Sequence, residues 1–142
     1  MSSPTTFPTP VTPGGPVPTT TATETTVELV TRFENTFNTY DVDALMADMT
    51  DDCVFEHVAP ASVSLGRHEG QAAVRAVWES LQTHFPGHRF EIEDVFGSGD
   101  RCACRWTMRW PQPEGNEGVA RGVDIFTARD GKIAEKLTYL TM

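Results

Sequence analysis

Asp124 is a lone carboxylate set among Gly122, Val123, Ile125 and Phe126. Strand alternation puts Gly122, Asp124 and Phe126 on one face and Val123 and Ile125 on the other. Such an acid either faces water at a sheet edge or is buried and does chemistry. If buried it needs a partner or a proton, and Arg105 or a backbone N–H can serve. His57 shares a strand face with Phe55 in the run Cys53 to Val58. It is either a satisfied wall histidine or a group that titrates near neutral pH. Other clusters read as structural. His84 and His88 are four apart, but Pro86 breaks the helix that would align them and no third metal ligand accompanies them. Glu91, Glu93 and Asp94 form a solvated strand face. The sequence carries no Gly-rich phosphate loop and no nucleophile elbow.

Composition narrows the function classes. At 142 residues the chain is one domain by length. Its net charge of −9 argues against nucleic acid and anionic membrane as partners, since both reward Lys and Arg clusters. No apolar run approaches the length of a membrane span. Three cysteines cannot all pair internally, and Cys102 and Cys104, two apart on one strand face, have poor geometry for a bridge. Free thiols in a reducing, cytoplasmic setting are expected.

Residues 1–23 carry no charged side chain and hold six of the ten prolines. They lack the basic and apolar segments of a secretory signal and read as a disordered Thr/Pro-rich tail. The folded domain is expected over 24–142. Thr25 and Glu28 fit a capping box for an amphipathic helix over 26–39, marked by Val30, Phe33, Phe37 and Tyr40. Asp41 caps a shorter helix that Thr50-Asp51-Asp52 ends. A strand follows over 53–58, then a loop over 60–69 and a helix over 70–85 stopped by Pro86-Gly87.

Strands are expected over 89–96 and 101–110, and then as a hairpin turning at Asp130-Gly131, a strong local turn signal. Helices packed on one side of a mostly antiparallel sheet make an α+β domain. Cys102, Cys104, Trp106, Met108 and Trp110 share one face of the longest strand. Exposed together they would need a second copy to cover them, giving a homodimer through the sheet. The alternative is that this face lines the interior and Arg105 points outward.

The order of elements resembles the cone-shaped family of nuclear transport factor 2, SnoaL-type polyketide cyclases and ketosteroid isomerase. The resemblance covers about 26–142. It rests on Asp41-Val42-Asp43-Ala44-Leu45, Asp51-Asp52-Cys53-Val54-Phe55, Gly70-Gln71-Ala72-Ala73-Val74-Arg75, Arg101 to Arg105, and Gly122 to Phe126 through Arg129 to Ile133. It implies a curved mixed sheet wrapped around three helices, with a pocket for an apolar small molecule and no cofactor or metal. Asp124 matches the isomerase's oxyanion-binding Asp, and SnoaL-type cyclases also carry a catalytic Asp on this strand. His57 matches the isomerase's base, while Phe33 replaces its Tyr. Arg105 matches the Arg of limonene-type epoxide hydrolases, but Thr107 and Thr138 stand where that chemistry needs carboxylates. The implied activity is a proton-transfer isomerase or cyclase acting on an apolar carbonyl compound. His57 is then the base, Asp124 a donor to the enolate, and Arg105 orients substrate or tunes Asp124. Phe33, Phe37, Phe55 and Phe126 line the site. The competing reading is a non-catalytic ligand-binding or dimerisation module, because this fold hosts both.

Overall fold

The first helix starts where its cap is written. The Thr25 hydroxyl accepts from the Glu28 N–H at 3.1 Å, and the Glu28 carboxylate accepts from the Thr25 N–H at 2.9 Å. Two orphan N–H groups are thereby satisfied. Helix α1 spans Thr26–Thr36 and buries Leu29, Val30 and Phe33, each worth roughly 1.5–3 kcal/mol. The helix expected through residue 39 instead tightens after Thr36 into a 3-10 turn, Phe37–Thr39. The Asn38 side chain holds that turn, donating to the Phe90 carbonyl and accepting from its N–H. Asp41 caps α2, Val42–Ala47, by accepting from the Ala44 N–H.

This computed structural model describes residues 24–58 and 66–141. The tail expected over 1–23 and residues 60–65 of the expected loop lie outside them. Six strands follow the first two helices: β1 Met49–Val58, β2 Gly66–Glu69, β3 Arg89–Ser98, β4 Arg101–Pro111, β5 Glu117–Arg129 and β6 Lys132–Thr141. Helix α3, Gln71–His84, lies between β2 and β3. The sheet order is β2-β1-β6-β5-β4-β3, with β1 and β6 parallel and every other pair antiparallel. The curved mixed sheet with helices on its concave side is the α+β cone that the resemblance implied.

Two boundaries differ for physical reasons. Thr50-Asp51-Asp52, expected to end a helix, belong to β1, since α2 already stops at Ala47. Gly66–Glu69, expected as loop, pair with β1 through Phe55 opposite His68 and His57 opposite Gly66. Ladder hydrogen bonds make this edge strand, and no apolar side chain announces it. The Asp130-Gly131 turn closes as expected, with φ of +54° and +76° at its two central residues. Both values suit a type I′ hairpin turn, where Gly bears no Cβ penalty.

Cys102, Cys104, Trp106 and Met108 are buried on the concave side, where α1 packs over β3 and β4. Arg101, Arg105 and Arg109 project from the convex side of the same strand. The second of the two readings of this strand therefore holds: its apolar face is covered from within. A dimer is not needed to hide it. All three cysteines are buried free thiols. Among the described residues no helix is long and apolar enough to cross a membrane.

Candidate functional site

A cavity of about 170 Å³ opens between α3, the 3-10 turn and the concave face of the sheet. Its wall is mostly apolar and rich in aromatic rings, with Phe37, Phe55, Trp78, Phe90 and Trp106 among them. Trp78 organises the cluster: its ring lies 4.6 Å from Phe55, 5.1 Å from Phe37 and 6.5 Å from Phe33. Trp106 fits because residue 122 is glycine; a Cβ there would come within 2.5 Å of the indole. Four polar residues interrupt the lining: Glu34, His57, Lys136 and Thr138.

Lys136 reaches this wall through an irregular register. Thr127 pairs with Glu135, but the next residue, Ala128, pairs with Ile133. The bulge puts an extra residue into β6, so Ile133 and Lys136 both end up buried on the concave side. Simple alternation from Ile133 would have sent Lys136 to solvent. Its Nζ lies 4.8 Å from the centre of the Phe55 ring and 5.2 Å from that of Trp78, an aromatic cradle for a cation.

Asp124 is buried, with 1% of its surface exposed. Thr138 Oγ1 donates to Asp124 Oδ1 at 2.6 Å, and Lys136 Nζ donates to Thr138 Oγ1 at 3.0 Å. Lys136 Nζ also lies 3.3 Å from Asp124 Oδ2. That is an ion-pair distance without hydrogen-bond geometry, so Oδ2 receives charge compensation but no hydrogen bond. Asp124 is not in the cavity wall. It stands one layer behind, and Lys136 and Thr138 present its field to the interior.

His57 lines the cavity and is half-buried. Burial pushes its pKa below that of a free imidazole, helped by His68 and Lys136. Its ring stacks on Phe55 at 5.3 Å and on His68 at 5.8 Å. Both imidazoles lean over Gly66, where an added Cβ would meet each Nε2 at 2.8 Å. In the parallel β1–β6 pair His57 sits beside Thr138 and Phe55 beside Lys136. The His57 imidazole and the Lys136 ammonium are thus neighbours on the same wall.

Glu34, like Lys136, is a residue that sequence reasoning passed over. It is 4% exposed, lines the cavity and has an Oε2 without a hydrogen-bond partner. Burial pushes its pKa well above the usual carboxylate range; the neighbouring Asp124 adds to the rise and Lys136 opposes it. Its signal was present, because Glu34 falls on the apolar stripe of α1, four residues after Val30 and three before Phe37.

Arg105 does not join the site. It lies on the convex face, roughly half exposed, and pairs with Glu93. The sheet separates it from Asp124, so it can neither orient a cavity ligand nor touch that acid. Phe33 and Phe126 are fully buried and support the wall from behind, whereas Phe37 and Phe55 line it. His84 is exposed, and His88 is buried on the Phe85 carbonyl. Among the described residues no three His, Cys, Asp or Glu side chains converge on a metal position.

A cone of curved sheet and helices around an apolar cavity defines the nuclear transport factor 2-like class, a small-molecule-binding type of fold. Residues 30–136 match the model of the SnoaL-like domain, and the chain belongs to that family. An NTF2-like protein of unknown function from Mesorhizobium loti is 35% identical, with 81% of this chain and 89% of that one covered at a TM-score of 0.64. A putative polyketide cyclase from Pseudomonas putida is 24% identical over 81% of this chain and 90% of its own, with a TM-score of 0.64. TerC, crystallised with polyporic acid, is 20% identical over 80% and 88%, with a TM-score of 0.69. The last two show the fold alone. No curated protein matches the chain.

Proposed function

We propose that the cavity binds a compact apolar carbonyl compound and moves a proton on it without a cofactor, as an isomerase or aldol-type cyclase. One observation carries the reading: an imidazole and an ammonium occupy adjacent strands of a single wall inside an aromatic cavity. His57 takes the proton beside the carbonyl, since its lowered pKa leaves it neutral and able to accept at pH 7. Lys136 answers the charge that develops on oxygen as the enolate forms. Fixed positive charge in a dry site counts for far more there than in water. Asp124 acts through Lys136, as a positioning residue.

Size supports a small ligand. An apolar cavity of ~150 Å³ takes up benzene, so about 170 Å³ admits a single ring and not a fused polycycle. The fold shared with a putative polyketide cyclase supports carbonyl chemistry only at the level of architecture. The second reading is a non-catalytic ligand-binding or dimerisation module, and the Thr138 hydrogen bond to Asp124 Oδ1 together with charge compensation by Lys136 favours it. In either case we place a homodimer at the convex face, where Val58, Phe96, Val119 and Tyr139 remain exposed. A monomer by light scattering at micromolar concentration would count against that dimer. Three free thiols suit a reducing compartment, and we assign the protein to the cytoplasm.

The test is proton exchange. Cyclohexanone and cyclohexenone are incubated with the protein in D2O, and deuterium uptake next to the carbonyl is followed by NMR. Catalysed uptake that disappears in His57→Ala supports the enzyme. Binding by thermal shift with no exchange above background supports the module.

A further inference from the structure

Two buried acceptors near one another lack donors: Glu34 Oε2 and Asp124 Oδ2. Their carboxyl groups lie within hydrogen-bonding range of each other. Two carboxylates in direct contact and out of water cannot both remain ionised, and one proton between them gives each orphan oxygen a partner. Among the described residues, Lys136 is the positive charge that acts on this pair. Asp124 faces Glu34 from β5, Lys136 from β6, and the Cys104 and Cys102 thiols from β4. A proton on Glu34, with Lys136 facing Asp124, leaves the cluster neutral overall, which is the arrangement a dry interior favours.

We propose that Glu34 is the acid of this site: it holds a proton that it donates in a hydrogen bond to Asp124 and, from the cavity wall, passes it to the oxygen of a bound carbonyl compound. This rests on the proton-transfer reading and completes it. His57 breaks a C–H bond beside the carbonyl and keeps the proton. The C–H electron pair becomes a C=C bond, and the carbonyl π pair moves to oxygen. That oxygen takes the Glu34 proton, so the product in the cavity is a neutral enol. Glu34 is then anionic beside Asp124, with Lys136 and the newly formed His57 imidazolium as the cations, and the repulsion between the adjoining carboxylates draws the proton back. Where the ring carries a C=C bond conjugated with that enol, the resulting dienol returns its O–H proton to Glu34 while His57 delivers its own proton to the far (γ) carbon. The C=O bond re-forms, the C=C bond moves one position, and the net change is isomerisation. Atoms and electrons balance without an oxidant or reductant. The acid and the base enter from different elements, Glu34 from α1 and His57 from β1, so a ring held between them meets both.

Infrared difference spectroscopy on the full chain tests this, with 4-nitrophenol as a ring-sized oxygen ligand. A carboxylic acid C=O band is expected at neutral pH in the parent and absent in Glu34→Gln. In Asp124→Asn, loss of the neighbouring negative charge should move the band's midpoint to lower pH, by about one unit for two carboxyls in hydrogen-bond contact. Binding of 4-nitrophenol should shift the band. An absent band, or one that survives Glu34→Gln, overturns the proposal. So does a band that 4-nitrophenol leaves unmoved although it binds. Failure of 4-nitrophenol and of the cyclic ketones to bind at all removes the small-molecule reading itself, and this inference with it. Fluorescence of Trp78, which faces the cavity, reports that binding independently.

Discussion

Lys136 and Asp124 form a buried ion pair: Nζ and Oδ2 are 3.3 Å apart, with side-chain exposures of 7% and 1%. Such a pair adds little net stability over an apolar substitute, yet losing one member strands the other. Asp124→Ala should therefore destabilise the protein by roughly 3–5 kcal/mol. Lys136→Met combined with Asp124→Asn should recover most of that loss. Urea denaturation of the single and double variants measures both effects. Additive losses would show that the two groups do not act as a pair.

Glu34 carries an opposite signature. Its folded pKa is raised, by burial first and Asp124 second, above an ordinary value of 4.5. The unfolded chain thus releases this proton first as pH rises. The contribution to stability is complete below that ordinary value and is lost as pH climbs through the folded one. Glu34→Gln cannot lose it, so the variant's advantage over the parent should grow with pH. Melting temperatures from pH 5 to pH 9 decide the matter; parallel curves would contradict it.

For His57 the sign reverses. Its folded pKa is lowered, chiefly by burial, so the unfolded chain takes up the proton first as pH falls. Stability from this residue is complete above the ordinary imidazole value of ~6.5. It is lost as pH drops through the window down to the folded value. His88, also lowered by burial, adds in the same direction. Parent and His57→Gln should diverge in denaturation midpoint below neutral pH, with the parent the more sensitive. Under the catalytic reading, turnover should hold at a lower pH than a free imidazole would allow.

Gly66→Ala tests the placement of the base without touching it. The new Cβ would lie 2.8 Å from Nε2 of both His57 and His68, which are flexible ends able to swing away. The cost in stability should stay below about 1 kcal/mol. Ligand affinity or exchange activity should fall several-fold, because His57 has turned. A variant that binds and exchanges like the parent would show that His57 orientation is immaterial.

Arg105→Ala should do almost nothing to the site. The Arg105–Glu93 pair lies on the convex face with the arginine side chain about half exposed, and such pairs contribute ~0–1 kcal/mol. Titration of a cavity ligand into this variant should return the parent's affinity.

Much of the fold was legible because it follows local rules. The Thr25/Glu28 box, the Asp41 cap and the Asp130-Gly131 turn are each written within four residues of sequence. The faces of β4 could be sorted by alternation, but not which one looked inward; that depends on where α1 packs. The site was half legible. His57, Asp124, Phe37 and Phe55 sit on or just behind one cavity wall. Lys136 was hidden by the β6 bulge, a defect of register that depends on pairing with β5 and leaves no mark in β6 itself. Glu34 was legible and overlooked, because an acid on an apolar stripe is easily taken for a surface residue. Arg105 failed for a plain reason: alternation places it opposite Cys104, and Cys104 is inside.

The parallel pairing of β1 with β6 has a consequence for how the chain reaches its native state. β6 is the last strand in sequence order, yet it occupies the middle of the sheet between β1 and β5. Until it arrives, β1–β2 and β3–β5 are separate sheets, each with an open edge. Contacts so distant along the chain are slow to form, because loop-closure entropy must be overcome first. On the ribosome, the half-sheets wait with β1 and β5 unpaired, and these are the edges at which a stalled or shortened chain would self-associate. His57 comes with the first strand and Lys136 with the last. The wall that holds both is therefore completed only when the last strand docks, and no chain lacking β6 can carry it.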